Sequence, residues 1–334
     1  MKYLSLFLIL IVLSYKCFAQ NDQAINDLVR EGIKLYGQAK YNDAIAKYKD
    51  ALKLDGTNPN ANYELALTLV TTRATDEAIP YLEKVIKSAS TTTVSAYDLL
   101  GTIYDMQGKG QLAVEQFKKG IDFDPKYQRI HFNYAITLAK LGNTKEALTE
   151  TENSLKLDPN HSSSHRVYGA LNAMNKGNKI VELFAYCNFL MLEPTSARSL
   201  PAYNVIKDLL KQQPGSNVIT MNSNSSDKDL DAANLGLSMA VTTTTSLKDF
   251  SEQDLLAFKL KSIFSVTGEL SAKKAEKSFF WSFYADYFNK LKDNDVLNVL
   301  ARVISLSAFK EDNEAWLKKN QDKVAVYKAA IVRN

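Results

Sequence analysis

Small and bulky apolar residues follow one another at fixed intervals through the first part of the chain. The stretch GTIYDMQGKGQLAVEQFKKGIDFDP, residues 101–125, has a small and a large residue on each side of a glycine-rich break: Gly101 with Tyr104, and Ala113 with Phe117. Spacings of three and four residues place such positions on one face of a helix. The stretch therefore predicts two helices that approach closely at the small residues, with large side chains filling the space alongside.

The same pattern recurs with a nearly constant period. Segments with this order of small and large residues begin 34 or 35 residues apart, at Ile25, Pro59, Val94, Gln128 and Ser162. Glycines at 108, 142 and 177 fall between the two helices of a segment, where a left-handed turn is needed. Pro125 and Pro159 end the second helix. A constant period of this size is the signature of a helical solenoid.

These residues resemble the tetratricopeptide repeat, whose pattern is W-x2-L-G-x2-Y…A-x3-F…P, from about Ile25 to Pro194. The resemblance implies an all-α fold in which five helix pairs, residues 25–194, stack into a right-handed helical solenoid. In the fifth unit Val181 stands where the family has alanine, and Pro194 comes one residue late. We therefore expect a one-residue insertion near Gly177.

The resemblance also implies a groove, lined by the first helix of each pair, that binds peptides or partner proteins. The side chains expected to face it combine aromatic and aliphatic groups with a strip of mixed charge, which suits an amphipathic helix or an extended segment. They are Tyr63, Leu67, Val70, Asp98, Asp105, Arg129, Phe132, Ile136, Lys140 and Arg166. The alternative is that these residues form only a solvated surface.

The pattern changes after the repeats. Residues 195–213 contain one amphipathic helix, which we expect to cap the last repeat. Residues 214–226, PGSNVITMNSNSS, are rich in asparagine and serine and predict a flexible linker. Residues 227–334 predict a helical C-terminal domain that lacks the period and resembles no family, with a capping box that begins at Ser251.

An aromatic segment dominates this C-terminal domain. Ser271 is expected to cap a long helix that is apolar nearly all round and carries Phe279, Phe280, Trp281, Phe283, Tyr284, Tyr287 and Phe288. Such a helix must lie at the centre of a domain, or be covered by a partner or a membrane. We expect the first, because a buried core is the commoner reason for such a cluster.

The N-terminus has the plan of a secretory signal peptide. Lys2 supplies a positive charge, residues 3–13 are apolar, and Cys17-Phe18-Ala19 has a small residue at each end. An apolar run of eleven residues is shorter than the roughly 20 that span a bilayer. Lys16 before the cysteine disfavours a lipoprotein signal. We expect removal of residues 1–19 by cleavage after Ala19, and an exported chain with no transmembrane segment.

Amino-acid composition and net charge indicate which classes of partner and which cellular compartment this chain suits. Hydrophobic residues make up 46% of the chain and charged residues 23%, which is typical of a globular protein. Removal of the signal peptide, which contains two lysines and no acid, lowers the net charge from +4 to +2, too little to favour nucleic-acid binding. Cys187 is then the sole cysteine, so no internal disulfide can form, and an exported chain without disulfides fits a bacterial envelope.

One stretch raises the question of a nucleotide cofactor. Residues 108–113, GKGQLA, fit the G-x-G-x-x-[G/A] pattern of dinucleotide-binding loops. Those loops follow a β-strand, whereas GTIYDMQ before this stretch has the helical pattern of the repeat. We interpret GKGQLA as a turn that enters a helix, and we expect no cofactor.

Other reactive residue types lack the companions that chemistry needs. His161 and His165 lie one helical turn apart, but no HExxH motif or cysteine pair accompanies them. Cys187 is flanked by apolar residues, as a buried cysteine would be. Ser271 begins an S-x-x-K match, but neither S-D-N nor K-T-G follows. We therefore predict no catalytic, cofactor-binding or metal-ligating residue.

The sequence thus predicts a non-catalytic protein–protein interaction scaffold of the bacterial cell envelope, which binds a partner segment in the groove. The alternative is an envelope enzyme with its active site in the C-terminal domain and repeats that recruit substrate. Converging polar groups among residues 227–334 would favour the enzyme. A closed apolar bundle there would favour the scaffold.

Overall fold

The computed structural model describes residues 21–174, 178–211, 228–242 and 250–333, and these ranges contain helices and no strand. The predicted signal peptide, the predicted linker and Gly177 lie outside the described residues. The chain divides into two compact units, Met1–Asn143 and Thr144–Asn334. The division falls inside the predicted repeat array, whose boundaries stay a prediction. No helix in the described ranges is long and apolar enough to cross a bilayer.

The first unit is a series of helix pairs. From α2 onward each helix packs against the next, and the first helices of successive pairs also contact each other, α3 with α5 and α5 with α7. The helices are α1 (21–37), α2 (Tyr41–Leu54), α3 (Pro59–Thr71), α4 (Thr75–Lys87), α5 (Thr93–Met106), α6 (Gly110–Phe123) and α7 (Gln128–Lys140).

The turns inside the pairs share one backbone conformation. Gly108 and Gly142 adopt the left-handed region, with φ of 73° and 79°. Ala39 and Arg73 hold the equivalent places in the first two pairs with φ of 57° and 66°. A residue with a Cβ pays about 1 kcal/mol or more for this conformation. The turn geometry is therefore imposed by the packing of the two helices, and glycine only makes it easier.

Small residues explain the close approach within each pair. A Cβ added to Gly101 on α5 would lie 2.6 Å from the ring of Phe117 on α6, and one added to Gly32 would lie 2.4 Å from the ring of Tyr48. Both rings are almost fully buried. The periodic glycines are thus sites where an aromatic ring packs directly on helix backbone.

The second unit contains the last repeats and the C-terminal helices. These are α8 (Thr144–Leu157), α9 (Ser162–Met174), α10 (Lys179–Leu192), α11 (Ser199–Leu209), α12 (Lys228–Thr242), α13 (Glu252–Ala272), a π-helix (Phe280–Ala285) continued by α14 (Asp286–Lys290), α15 (Asn294–Ile304), α16 (Lys310–Lys319) and α17 (Gln321–Ala330). The predicted cap at Ser251 is present, because its hydroxyl accepts a hydrogen bond from the backbone N–H of Asp254.

One apolar core joins the last repeat to the C-terminal helices. Helix α10 packs against α9, α11, α12, α15 and the π-helix. On α10, the ring of Phe184 lies 5.1 Å from Phe264, 5.4 Å from Phe280 and 5.0 Å from Phe288, centre to centre. The last repeat is therefore covered by α11 and also by helices from the chain beyond residue 227.

The aromatic segment is central, as expected, but its conformation differs from the prediction. Trp281, Tyr284 and Phe288 are fully buried. Ser271 lies near the end of α13 and donates a hydrogen bond to Asp286, so the prediction that it caps the aromatic helix is wrong. The segment Phe280–Ala285 forms a π-helix, whose wider turns let a run of large rings pack on several sides.

A buried polar network crosses this core. Nε2 of His165 donates to the carbonyl of Pro159 at 2.9 Å, so Nδ1 accepts from the Tyr284 hydroxyl at 2.7 Å. Asn188 also contacts the imidazole, and Arg333 reaches the Asn188 side-chain oxygen at 3.3 Å. Burial lowers the pKa of His165 to about 3, so the imidazole is neutral.

We predict that Gly101→Ala lowers the free energy of unfolding by about 1–3 kcal/mol, because the new methyl group meets the buried Phe117 ring. Gly37→Ala is the matched control, since nothing lies within 4 Å of a Cβ there. This control should change stability by less than about 1 kcal/mol and towards a more stable fold. Denaturant titration followed by far-UV circular dichroism measures both, and equal effects would contradict the packing argument.

We also predict acid sensitivity of the second unit through His165. Its folded pKa, about 3, lies below the ordinary histidine value of 6.5, so the unfolded chain binds a proton that the folded chain excludes. The contribution to stability is present above pH 6.5 and is lost as the pH falls towards 3. Linkage gives a loss of about 2 kcal/mol between pH 7 and pH 5.

Urea unfolding monitored by tryptophan fluorescence measures this loss, because both tryptophans, Trp281 and Trp316, belong to the second unit. His165→Asn should flatten the pH dependence, since Asn62 in an earlier repeat makes the equivalent bond to a loop carbonyl. An unchanged pH profile in this variant would refute the assignment to His165.

Candidate functional site

Nine of the ten predicted groove residues lie in the first unit. Tyr63, Leu67 and Val70 are on α3, Asp98 and Asp105 are on α5, and Arg129, Phe132, Ile136 and Lys140 are on α7. These three helices lie side by side, because α3 contacts α5 and α5 contacts α7. The surface formed by these nine residues is called the α3–α5–α7 face below.

Charged residues of this face pair across neighbouring helices. Arg129 Nε donates to Asp98 Oδ2 at 2.7 Å, and Asn133 donates to Asp98 Oδ1 at 2.8 Å. Lys140 and Asp105 form a second ion pair further along the same two helices. The charges of the predicted strip are therefore matched between α5 and α7, which fixes the register of these helices.

Asp98 is a buried anion. Its side chain has no exposed surface, whereas the Arg129 side chain is 46% exposed. Burial raises the pKa of the Asp98 carboxyl, and the charge of Arg129 and the hydrogen bonds from Asn133 and Arg129 oppose that rise. The pair thus places its negative end inside the protein and its positive end at the surface.

Two tyrosines frame the Arg129 guanidinium. Its central carbon lies 5.9 Å from the centre of the Tyr127 ring, and the Tyr127 hydroxyl accepts a hydrogen bond from Ser95. On α3, burial raises the pKa of the Tyr63 hydroxyl, and the nearby Arg129 charge opposes the rise. The guanidinium is therefore held by Asp98 of α5, by Tyr63 of α3 and by Tyr127, the residue before α7.

Apolar side chains flank this polar centre. Leu67 and Val70 on α3 and Phe132 and Ile136 on α7 are half-buried, so part of each side chain is accessible. Tyr63 is only 9% exposed. The α3–α5–α7 face thus offers two apolar strips separated by a positioned guanidinium.

Arg166, the tenth predicted residue, lies on α9 in the second unit and is half-buried. Its Nε atom is buried and has no hydrogen-bond partner in the part of the chain that the structure describes.

Sequence reasoning did not single out Asn133, Tyr127 or Ser95. The available signal was that Asn133 follows Asp98 by 35 residues, one repeat period, and follows Arg129 by one helical turn.

The candidate reactive residues have structural contacts. Nδ1 of His161 contacts the Ser164 hydroxyl, and His165 belongs to the buried network described above. His131 in the first unit bonds to the carbonyl of Pro125, six residues back, as His165 does to Pro159. Cys187 is fully buried, and burial raises the pKa of its thiol.

The GKGQLA stretch covers the end of the turn between α5 and α6 and the first four residues of α6. Gly108 has the left-handed conformation, and α6 begins at Gly110. The element before the stretch is helix α5, whereas a dinucleotide loop follows a strand. The interpretation of this stretch as a turn that enters a helix is therefore confirmed.

The two ion pairs should differ sharply in their effect on stability. We predict that Asp98→Ala lowers the free energy of unfolding by about 2–3 kcal/mol, because it leaves Asn133 and Arg129 without a buried partner. Asp105→Ala, the matched control, should cost less than about 1 kcal/mol, since Lys140 is 59% exposed. Thermal and urea unfolding of the two variants test this, and a larger effect at Asp105 would contradict it.

Among solved structures, pilF of Pseudomonas aeruginosa is 18% identical with a TM-score of 0.52, and the match covers 68% of this chain and 96% of pilF. MamA is 22% identical with a TM-score of 0.43, over 49% of this chain and 94% of MamA. A TPR protein of Thermus thermophilus is 19% identical with a TM-score of 0.46, and the match covers 55% of this chain and 100% of the Thermus protein. The likeness to pilF shows a common helical-repeat fold.

Family models also match the repeats. The model described as TPR repeat matches residues 33–72, and the model described as tetratricopeptide repeat matches residues 59–92 and 128–161. No curated protein sequence matches this chain significantly. The matched ranges contain α2, α3, α4, α7 and α8, and α3 and α7 carry most residues of the α3–α5–α7 face. The chain therefore contains tetratricopeptide repeats, matched over residues 33–92 and 128–161.

Proposed function

We propose that this protein is a non-catalytic scaffold that binds a segment of a partner protein on the α3–α5–α7 face. The tetratricopeptide repeat fold implies a role in protein–protein interaction. The observation that carries the proposal is the pair of accessible apolar strips, Leu67 with Val70 and Phe132 with Ile136, on first helices of the array. Their spacing of three and four residues suits the apolar face of an amphipathic segment.

The charges of the face support this proposal. Asp98 and Asp105 are neutralised by Arg129 and Lys140 within the protein, so an apolar partner segment meets no uncompensated acid there. The same ion pairs hold α5 and α7 in fixed register, which lowers the conformational cost of binding. A rigid and partly apolar surface is what a docking site for a peptide requires.

The chemistry of the second unit supports a non-catalytic role. Its core is built from aromatic rings such as Phe264, Trp281 and Phe288. Tyr284 is held by His165, Ser271 by Asp286, and Lys274 by Asp229. These six side chains, of types that can act as acid, base or nucleophile, are thus engaged in structural contacts.

The proposed location is the bacterial cell envelope. The charged start, short apolar run and small-residue end of residues 1–19 support export with cleavage after Ala19. The single cysteine of the remaining chain, Cys187, is buried and fits an exported protein that does not depend on disulfides. Arg166 stays a predicted binding residue of the second unit.

Selection of short random peptides displayed on phage against the purified protein tests this proposal. We expect enriched peptides with apolar residues at helical spacing. Leu67→Glu and Ile136→Glu should each weaken their binding at least tenfold, because a charge is then buried under the peptide. Leu112→Glu on α6 is the matched control, since Leu112 is 41% exposed on a second helix.

The control variant should bind as the unaltered protein does. Circular dichroism confirms that all three variants are folded. Failure to enrich any peptide, or equal loss in the α6 variant, would reject the α3–α5–α7 face as the binding surface.

A further inference from the structure

The Asp98–Arg129–Asn133 cluster has the construction of a ligand site rather than of an ordinary surface ion pair. Asp98 is fully buried and both its oxygens are occupied, Oδ2 by Arg129 and Oδ1 by Asn133. Burying a carboxylate to form one surface pair gives little stability, because the desolvation cost offsets the attraction. What this arrangement does achieve is to hold one arginine in a fixed place on the face.

The geometry of the guanidinium determines which edge remains for a ligand. Arg129 bonds to Asp98 through Nε, the nitrogen nearest the side-chain stem. The outer edge of the planar fork, with its two terminal nitrogens, is therefore not the edge turned to Asp98. The side chain is 46% exposed, and Tyr127 packs beside it. The Tyr63 hydroxyl also hydrogen-bonds with this guanidinium, and the N–H groups that remain can donate to a carboxylate.

The charges around Arg129 favour an anion. The nearest acids on the face are Asp98, which is buried beneath it, and Asp105, which is paired with Lys140. Glu64 on α3 lies beside Tyr48 of α2. Burial, and to a smaller extent the charge of Glu64, raise the pKa of the Tyr48 hydroxyl to about 12. The exposed end of the Asp98–Arg129 pair is thus positive. The three face residues on α3, which are Tyr63, Leu67 and Val70, include no acid.

We propose that Arg129 binds an aspartate or glutamate side chain in the middle of the partner segment. This inference rests on the proposed function of the face. The apolar strips on both sides of Arg129, on α3 and on α7, require the segment to continue past the guanidinium. The carboxylate is therefore an internal side chain and not the C-terminus of the partner. Asp98 and Asn133 are positioning residues, because they act on the partner only through Arg129.

The test begins with the phage-displayed random peptides, which carry flanking sequence at both ends and so present only internal carboxylates. We expect an aspartate or glutamate at a constant distance from the apolar residues. The strongest peptide is then made with an amidated C-terminus, in an acidic form and in a form with Glu→Gln or Asp→Asn. Fluorescence polarisation measures the affinity of each form for the full mature chain.

For the unaltered protein, we expect the neutral peptide to bind about tenfold more weakly than the acidic one, as loss of a charged hydrogen-bond pair implies. For Arg129→Met, the two peptides should bind equally. Lys140→Met is the matched control and should keep the tenfold preference, because Lys140 is turned to Asp105. Arg129→Lys keeps the charge and tests the fork, with an expected partial loss of preference.

The outcomes separate the two proposals. Enrichment of purely apolar peptides that Leu67→Glu blocks would leave the binding face intact and overturn the role of Arg129. An acidic preference that persists in both Arg129→Met and Arg129→Lys would also overturn it. Absence of any enriched peptide would reject the face itself and the Arg129 site with it. Unfolding curves of each variant show whether a loss comes from the site, and Arg129→Lys decides the matter if Arg129→Met is unfolded.

Discussion

Direct contact between helix backbone and large side chains is the constraint on which this structure depends. Ala44, Ala78 and Ala113 recur one period apart, and each is fully buried at the start of a second helix. Gly101 and Gly32 provide the matching gaps for rings on the facing helix. Helices that come this close leave little freedom in their crossing angle, so the same pair geometry repeats and the first helices fall side by side. The α3–α5–α7 face is a consequence of that repetition.

The period could be predicted from sequence because its cause is local. Small residues, large residues and turn glycines all act within about one repeat, and their spacing is visible without coordinates. The turns at Ala39 and Arg73 show the limit of that reasoning, since packing imposes a left-handed backbone where no glycine marks it. The burial of Asp98 could not be predicted from sequence, because it depends on Arg129 and Asn133, which lie on another helix 31 and 35 residues away. The π-helix was missed for a similar reason, since only the surrounding rings select it over an α-helix.

The last repeat of any finite array has an apolar face that no further repeat covers. In the second unit this face is covered by other helices of the same chain. In this unit α10 is covered by α11, α12, α15 and the π-helix, and the resulting core is richer in aromatic rings than the periodic part. Hydrogen bonds between His165 and Tyr284, and from Arg333 to Asn188, add directional contacts to that apolar packing. A polar network of this kind is favourable only when its members are positioned together, so it selects one arrangement of the covering helices over others of similar apolar area.

The buried carboxylate of Asp98 also bears on how such an array evolves. Repeats of constant length invite gain and loss of whole units by duplication, and most neighbours in a solenoid can be exchanged with small cost. Here the third repeat carries an acid whose two hydrogen-bond donors, Arg129 and Asn133, belong to the fourth repeat. Deleting the fourth repeat, or inserting an unrelated one between the two, would leave that acid buried without its donors. These two repeats therefore depend on each other more strongly than neighbours that share no buried charge.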